Sequence, residues 1–401
     1  MSDMCCPLRP LTACAVVAVL SPGLLGAGMP TLTGITTDLP GGPFTITINA
    51  LSADGSTVVG TATQTIFQTQ EAFRWTQATG MIGLGDLPGG PVFSEAFAVS
   101  DDGSVVVGDS NSGGAIEAFR WTQATGMVGI GFLPGGNISK PWGVSGDGSV
   151  IVGESLSTLT NPGSQAFRWT QATGMVGLGT LSSPGTPTSS AQAISSDGTV
   201  IVGFSTLFSS VEAFQWTAGA GMVGMGDLPT GAIASKALAV SSDGSIIVGS
   251  GNSAPGDEAF RWTSLTGMVP LGDLPGGNAI SRAQVVSGDG SVVLGFATAL
   301  SGGKPFLWTA DRQMRSLEDM LVQDFGFDLG GWQILGAIDI SADGLTILGG
   351  GINPAGVNQP FLLVLPPPTP VVACPGDADG SGVVNFSDIT TVLGNWLNVC
   401  P

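Results

Sequence analysis

The sequence predicts an all-β fold, a seven-bladed β-propeller of about 46-residue repeats, with a small loop–helix module after it. Three observations predict it. A Phe-x-Trp motif places Trp at 75, 121, 169, 216, 262 and 308, with gaps of 46, 48, 47, 46 and 46 residues. A Ser-x-Asp-Gly motif recurs seven times, with Asp at 54, 102, 147, 197, 243, 289 and 343. Each unit carries four short apolar runs rich in Val, Ile, Phe, Trp and Thr, punctuated by Gly and Pro. One such unit cannot cover both of its faces, so neighbours must bury them, and closing the ring removes exposed sheet edges. An open β-solenoid is the alternative, but its coils are usually shorter than this unit.

Taken in chain order, residues 1–28 read as a secretory signal peptide. Arg9 is the basic residue of the n-region, Leu11–Leu20 the apolar stretch, and Gly26-Ala27-Gly28 the small residues for cleavage. Leu11-Thr12-Ala13-Cys14 superficially matches a lipoprotein box, but the apolar run follows Cys14 instead of preceding it. An uncleaved anchor is the remaining alternative.

The array spans 31–365. Within a unit the β signals are Met127–Ile130, Ala96–Ser100, Val105–Val107 and Ala118–Thr122. The Asp-Gly pair between the second and third is a hairpin signal, because both residues tolerate left-handed backbone. Seven equivalent copies point to structure, since an active site needs asymmetry. In the seventh unit the Trp position is Leu363. Arg74, Arg120, Arg168 and Arg261 stand between Phe and Trp. Pairing with Glu71, Glu117 and Glu258, or with an adjacent blade, is expected for them. Phe and Trp, two apart, should face a neighbouring blade. Between Arg312 and Trp332 the pattern changes. Ser316-Leu317-Glu318-Asp319 has the form of a helix start, so a short helix is expected from Ser316 to about Gln323.

A stiff Pro-rich linker (366–373) leads to the final module, 374–401. Asp377, Asp379, Ser381 and Asp388 fall at positions 1, 3, 5 and 12 of a calcium-loop pattern, with Gly382 at the sharp turn. Val383 would offer its carbonyl, and Asn385 would act through water. Ile389, Val392, Leu393, Trp396 and Leu397 then make one apolar helix face. Ca2+ is the cofactor this predicts. Cys374 and Cys400 bracket the module, and a disulfide between them fits an oxidising compartment. Closing that loop would contribute ~3.5 kcal/mol in the chain-entropy model.

Composition narrows the chemistry. The net charge is −19 and there is no His. An acidic surface repels phosphate backbones, so nucleic acid is not an expected partner. Triads, Cys–His pairs and His-ligated zinc are excluded outright. The apolar runs of the mature chain are too short to span a membrane.

The array resembles the HAF-repeat family of extracellular bacterial proteins, through Glu71-Ala72-Phe73-Arg74-Trp75, Ser100-Asp101-Asp102-Gly103-Ser104 and Leu87-Pro88-Gly89-Gly90 with their copies. The family's His is Glu, Gln or Lys here. The last module resembles half of a type I dockerin, an EF-hand-like loop and helix. These resemblances imply a secreted, extracellular or cell-surface, non-enzymatic protein that offers a binding or scaffolding surface. Its partner would be a protein (cohesin-like), a polysaccharide or a cell-envelope component. The alternative is a carbohydrate-active protein, glycan-binding or hydrolysing through a carboxylate pair drawn from Glu318, Asp319, Asp324 and Asp328.

Overall fold

The computed structural model describes residues 28–367, except 37–38, 40–43, 159, 161–162, 182–186, 208–209, 230–232, 255, 277–279 and 300–301. The leader, the calcium-loop residues Asp377, Asp379, Ser381, Val383, Asn385 and Asp388, and both Cys374 and Cys400 lie outside the described residues.

Met29–Leu365 forms one compact unit of seven four-stranded antiparallel sheets. Blades 1 to 6 are each continuous in sequence: 44–83, 94–129, 139–179, 189–224, 236–270 and 281–316. Blade 7 is composite. Gln333–Ile340, Thr346–Ile352 and Asn358–Val364 supply three strands, and the N-terminal Thr31–Gly34 supplies the outermost, with Thr31 opposite Val364 and Gly34 opposite Phe361. The ring is therefore closed by pairing the two ends of the array.

The core lies between blades. Phe73, Phe119, Phe167, Phe214, Phe260, Phe306 and Phe361 are all fully buried. Ala50, Val59 and Ala72 of blade 1 pack with Leu87, Val106, Phe119 and Trp121 of blade 2, as the two-residue spacing of Phe and Trp predicts. Leu363 occupies the Trp position of blade 7, opposite Ile347.

Every innermost strand carries a β-bulge at the same place. In blade 2 the register passes from Ala96 to Ala98 and leaves Phe97 unpaired. The bulge presses the strand's own backbone against the next strand. A Cβ on Gly108 would stand 1.8 Å from the Glu95 carbonyl oxygen. The Gly that follows two aliphatic residues on each second strand is thus the counterpart of the bulge.

The expected helix is present as Leu317–Phe325. Ser316 caps it, accepting from the Asp319 amide at 3.2 Å, and Gly326 ends it in left-handed backbone. No helix among the described residues is long and apolar enough to cross a membrane.

Candidate functional site: the open end of the channel

The innermost strands of all blades run the same way, so the ring has two unlike ends. At one end sit the seven Ser-x-Asp-Gly turns. Their x residues, with Asp54 as the donor in blade 1, form a head-to-tail ring of backbone hydrogen bonds. Ala342 donates to Ala53 (2.8 Å), Asp54 to Asp101 (3.3 Å), Asp101 to Gly146 (3.1 Å), and Gly146 to Ser196 (2.8 Å). Ser196 then donates to Ser242 (3.0 Å), Ser242 to Gly288 (2.9 Å), and Gly288 back to Ala342 (3.0 Å). Asp101 also accepts from the Ser196 hydroxyl, crossing over Gly146, where a Cβ would collide with both groups. This end of the channel is sealed by turn backbone and small side chains.

The repeated Asp is structural, though not for the reason the sequence suggested. Only the Gly of each turn has positive φ, 70° at Gly103, and no Asp does. Asp is kept for its carboxylate. Asp102 accepts from the Ser100 hydroxyl (2.8 Å) and the Ser104 amide (2.9 Å), while Ser100 Oγ accepts from the Val105 amide (2.9 Å). The Ser104 amide and hydroxyl and the Ser100 hydroxyl hold the Asp102 carboxyl below its ordinary range. Asp147, Asp197 and Asp243 are lowered likewise, chiefly by the hydroxyls of Ser145, Ser195 and Ser241.

Of the two partners expected for the Arg residues, the adjacent blade is the one found for Arg74 and Arg120. Arg74 reaches forward to the next blade's turn, donating to the Gly103 carbonyl at 3.0 Å and to Thr57 at 3.1 Å. Arg120 does the same to Gly148 at 3.2 Å. Their expected acidic partners cap outer-strand backbone instead: Glu71 accepts from Gly85 (3.1 Å) and Glu117 from Gly131 (3.0 Å). A planar guanidinium satisfies a carbonyl of the adjoining blade at no cost to either acid.

At the other end the blades differ. The bulges leave one residue per innermost strand outside the strand ladder, each half-buried or exposed: Asn49, Phe97, Trp142, Gln192, Leu238, Gln284 and Ile338. Phe97 and Trp142 meet with ring centroids 5.0 Å apart at 49°. Asn49 Nδ2 donates to the Ala96 carbonyl and Gln192 Nε2 to Ser190 Oγ, both at 2.7 Å. The Trp142 indole Nε1 is buried and has no acceptor among the described residues.

Nearer the rim, two positions earlier on each strand, stand Thr47, Glu95, Lys140, Ser190, Lys236, Arg282 and Gly336. Each of the three cations reaches back to the preceding blade. Lys140 Nζ is 3.4 Å from Asp109, Arg282 is 3.3 Å from Asp257, and Lys236 lies 4.8 Å from the Phe204 ring centroid. Asp109 is wholly buried, and no hydrogen bond reaches either carboxylate oxygen. Burial pushes its pKa up to about 6, with Lys140 opposing and Glu95 reinforcing the rise.

Blade 7 opens this end sideways. Gly336, Gly350 and Gly351 leave space against Phe44, Ile46 and Ile48 of blade 1, making a largely apolar groove of about 1040 Å³. It meets the channel at Gly336 and Ile338. Asp339 stitches the same seam closer to the sealed end, accepting from the Leu51 amide at 2.7 Å and from Ile340 at 2.8 Å. Burial raises its pKa to about 6 against those two amides.

The four acids proposed for carboxylate chemistry do not converge. Glu318 pairs with Lys304 at 3.6 Å, Arg312 and Arg315 both clamp Asp324, and Asp328 caps the Gly330 amide at 2.9 Å. Asp319 lines a separate small cavity beside the helix, with Lys304 and Arg315. Among the described residues no three His, Cys, Asp or Glu gather as a metal cluster. The bulge ring escaped the sequence reading. Its one signal is the position three after Ser94, Ser139, Ser189, Ser235 and Ser281, which changes from Phe to Trp, Gln, Leu and Gln between small or β-branched neighbours and one Pro.

No family model matches the chain, and no curated protein does. Solved structures share the fold. The propeller domain of the Trilobed protease from Pyrococcus furiosus, described as having an open velcro topology, matches at 10% identity and TM-score 0.52, covering 80% of this chain and 95% of that one. An oligogalacturonate lyase from Vibrio parahaemolyticus matches at 10% identity and TM-score 0.54, covering 84% and 97%. TolB from Acinetobacter baumannii matches at 12% identity and TM-score 0.43, over 66% of this chain and 63% of that one, so the chain spans under two thirds of its length. At these identities the likeness establishes a β-propeller fold and nothing finer.

Proposed function

We propose that the protein is a secreted, non-enzymatic binding propeller of HAF-repeat type whose ligand surface is the open end of the channel. One observation carries this reading: seven blades alike at the sealed end present seven largely different side chains at the open end. Differentiated side chains on a repeated frame are what selective recognition requires. The C-terminal module tethers the propeller. Asp377, Asp379, Ser381, Val383, Asn385 and Asp388 hold Ca2+ there, and a Cys374–Cys400 disulfide closes the loop around it. The oxygen-donor spacing supports a hard divalent cation. The tethered partner is a cohesin-like protein, a polysaccharide or a cell-envelope component.

Two measurements test the proposal. Calorimetric calcium titration should show one binding event that disappears in Asp377→Ala; binding that survives would put the metal elsewhere. Incubation with oligogalacturonate, chosen because a lyase of that name shares the fold, and with neutral polysaccharides should yield no cleavage products. Any catalytic turnover would overturn the non-enzymatic reading and restore the hydrolytic form of the carbohydrate-active alternative.

A further inference from the structure

We infer that the bulge ring binds the terminal residue of a neutral oligosaccharide, with the following residues lying out along the groove between blades 7 and 1. The inference rests on the open end being the ligand surface, and adds the ligand's class and its direction of entry.

The class follows from the ring's side chains. Phe97 and Trp142 present adjoining, half-buried aromatic faces, 5.0 Å between centroids. Such faces suit the C–H face of a pyranose, which is apolar although its edge is not. The amides of Asn49 and Gln192 flank this pair, each already donating one hydrogen bond, and the exposed amide of Gln284 stands across the ring. A sugar hydroxyl both donates and accepts, and so does a carboxamide, so the two match without charge.

Charge argues the same way. The bulge ring holds no ionised group. Of the three cations above it, Lys140 and Arg282 are paired with Asp109 and Asp257, while Lys236 lies on the Phe204 ring and keeps its charge. With Glu95 also at the rim, these three cations are matched by three acids, so the rim offers an anionic ligand no net positive field.

Direction follows from the far end. The seven turns are joined head to tail by hydrogen bonds, and the Asp101 side chain bridges to Ser196 over Gly146. A polymer cannot thread this channel, so an interior stretch of chain is excluded and an end is admitted. The groove meeting the channel at Gly336 and Ile338 gives the remainder of the chain a way out.

The test is calorimetry of the full secreted chain with glucose-, xylose- and mannose-based neutral oligomers of increasing length. At least one series should bind once per protein chain. Affinity should tighten over the first few units and then level off. Binding to the matching polysaccharide should rise with the number of chain ends after limited cleavage. Trp142→Leu should weaken binding about tenfold or more, and Gln284→Ala, at an exposed position that cannot disturb folding, by about threefold. Three results would overturn the inference: no oligomer binds, both variants bind as the parent does, or capacity follows polymer mass and ignores chain ends. Cleavage products in the same vessel would instead defeat the non-enzymatic reading, whichever variant is used.

Discussion

The two ends of the channel are built from the same strands, yet one is uniform and the other is not. At the sealed end each turn repeats Ser, Asp and Gly because each must satisfy the same backbone groups and touch the next turn. A substitution there breaks a contact with a neighbour. At the open end the bulge residue stands outside the strand ladder, and its identity is free of it. Repetition therefore marks where blades hold one another, and variation marks where they face something else.

This contrast can be broken most sharply at Gly108. With the Glu95 carbonyl 1.8 Å from a would-be Cβ, Gly108→Val should cost about 3 kcal/mol or more in denaturant unfolding, because two backbones have no room to part. A variant of parental stability would show that bulge and glycine are not coupled.

The buried Asp109 supplies the next largest effect. Its folded pKa, about 6, lies above the unfolded value. The folded protein therefore binds the extra proton, and stability rises as pH falls from 7 through 6 toward 4. The gain is up to about 3 kcal/mol. Asp339, raised by burial to about 6 as well, adds in the same direction. The turn aspartates oppose this: their lowered pKa values stabilise the fold above the ordinary carboxylate range, and that share is lost as pH falls through the folded values. Thermal stability should thus peak on the acidic side of neutral. Asp109→Asn should flatten the rise between pH 7 and 5. An unchanged pH profile would remove Asp109 as its cause.

Ser100→Ala comes third. Ser100 is buried and serves both the Val105 amide and the Asp102 carboxylate, so its loss should cost about 1–3 kcal/mol by thermal unfolding. It should leave oligosaccharide affinity unchanged. The smallest effect sharpens the comparison from the other side. Gln284→Ala should alter stability by less than about 0.5 kcal/mol while weakening ligand binding. If Ser100→Ala changed affinity, or Gln284→Ala changed stability, the division of labour between the two ends would fail.

Much of this architecture is legible in the chain. Period, blade number and strand positions follow from alternation and turn chemistry, which act over a few residues. The helix after Ser316 was legible for the same reason, since capping is local. Two things were not. The bulge ring depends on register between strands, which no single strand encodes. Phe97 therefore reads as an ordinary strand residue until Ala96 and Ala98 are seen to pair past it. The partner of Arg74 was equally hidden, because a carbonyl on the next blade leaves no mark on the sequence around Arg74 itself.

By itself the sequence determined seven units, their interior faces and their turns, because hydrophobic periodicity and glycine placement are local statements. Tertiary structure alone decided how the ring closes. Thr31–Gly34 carries no pattern that distinguishes it from a loop. Its pairing with Asn358–Val364 spans almost the whole array, and the edge it covers exists only once seven blades have already curved round to meet it.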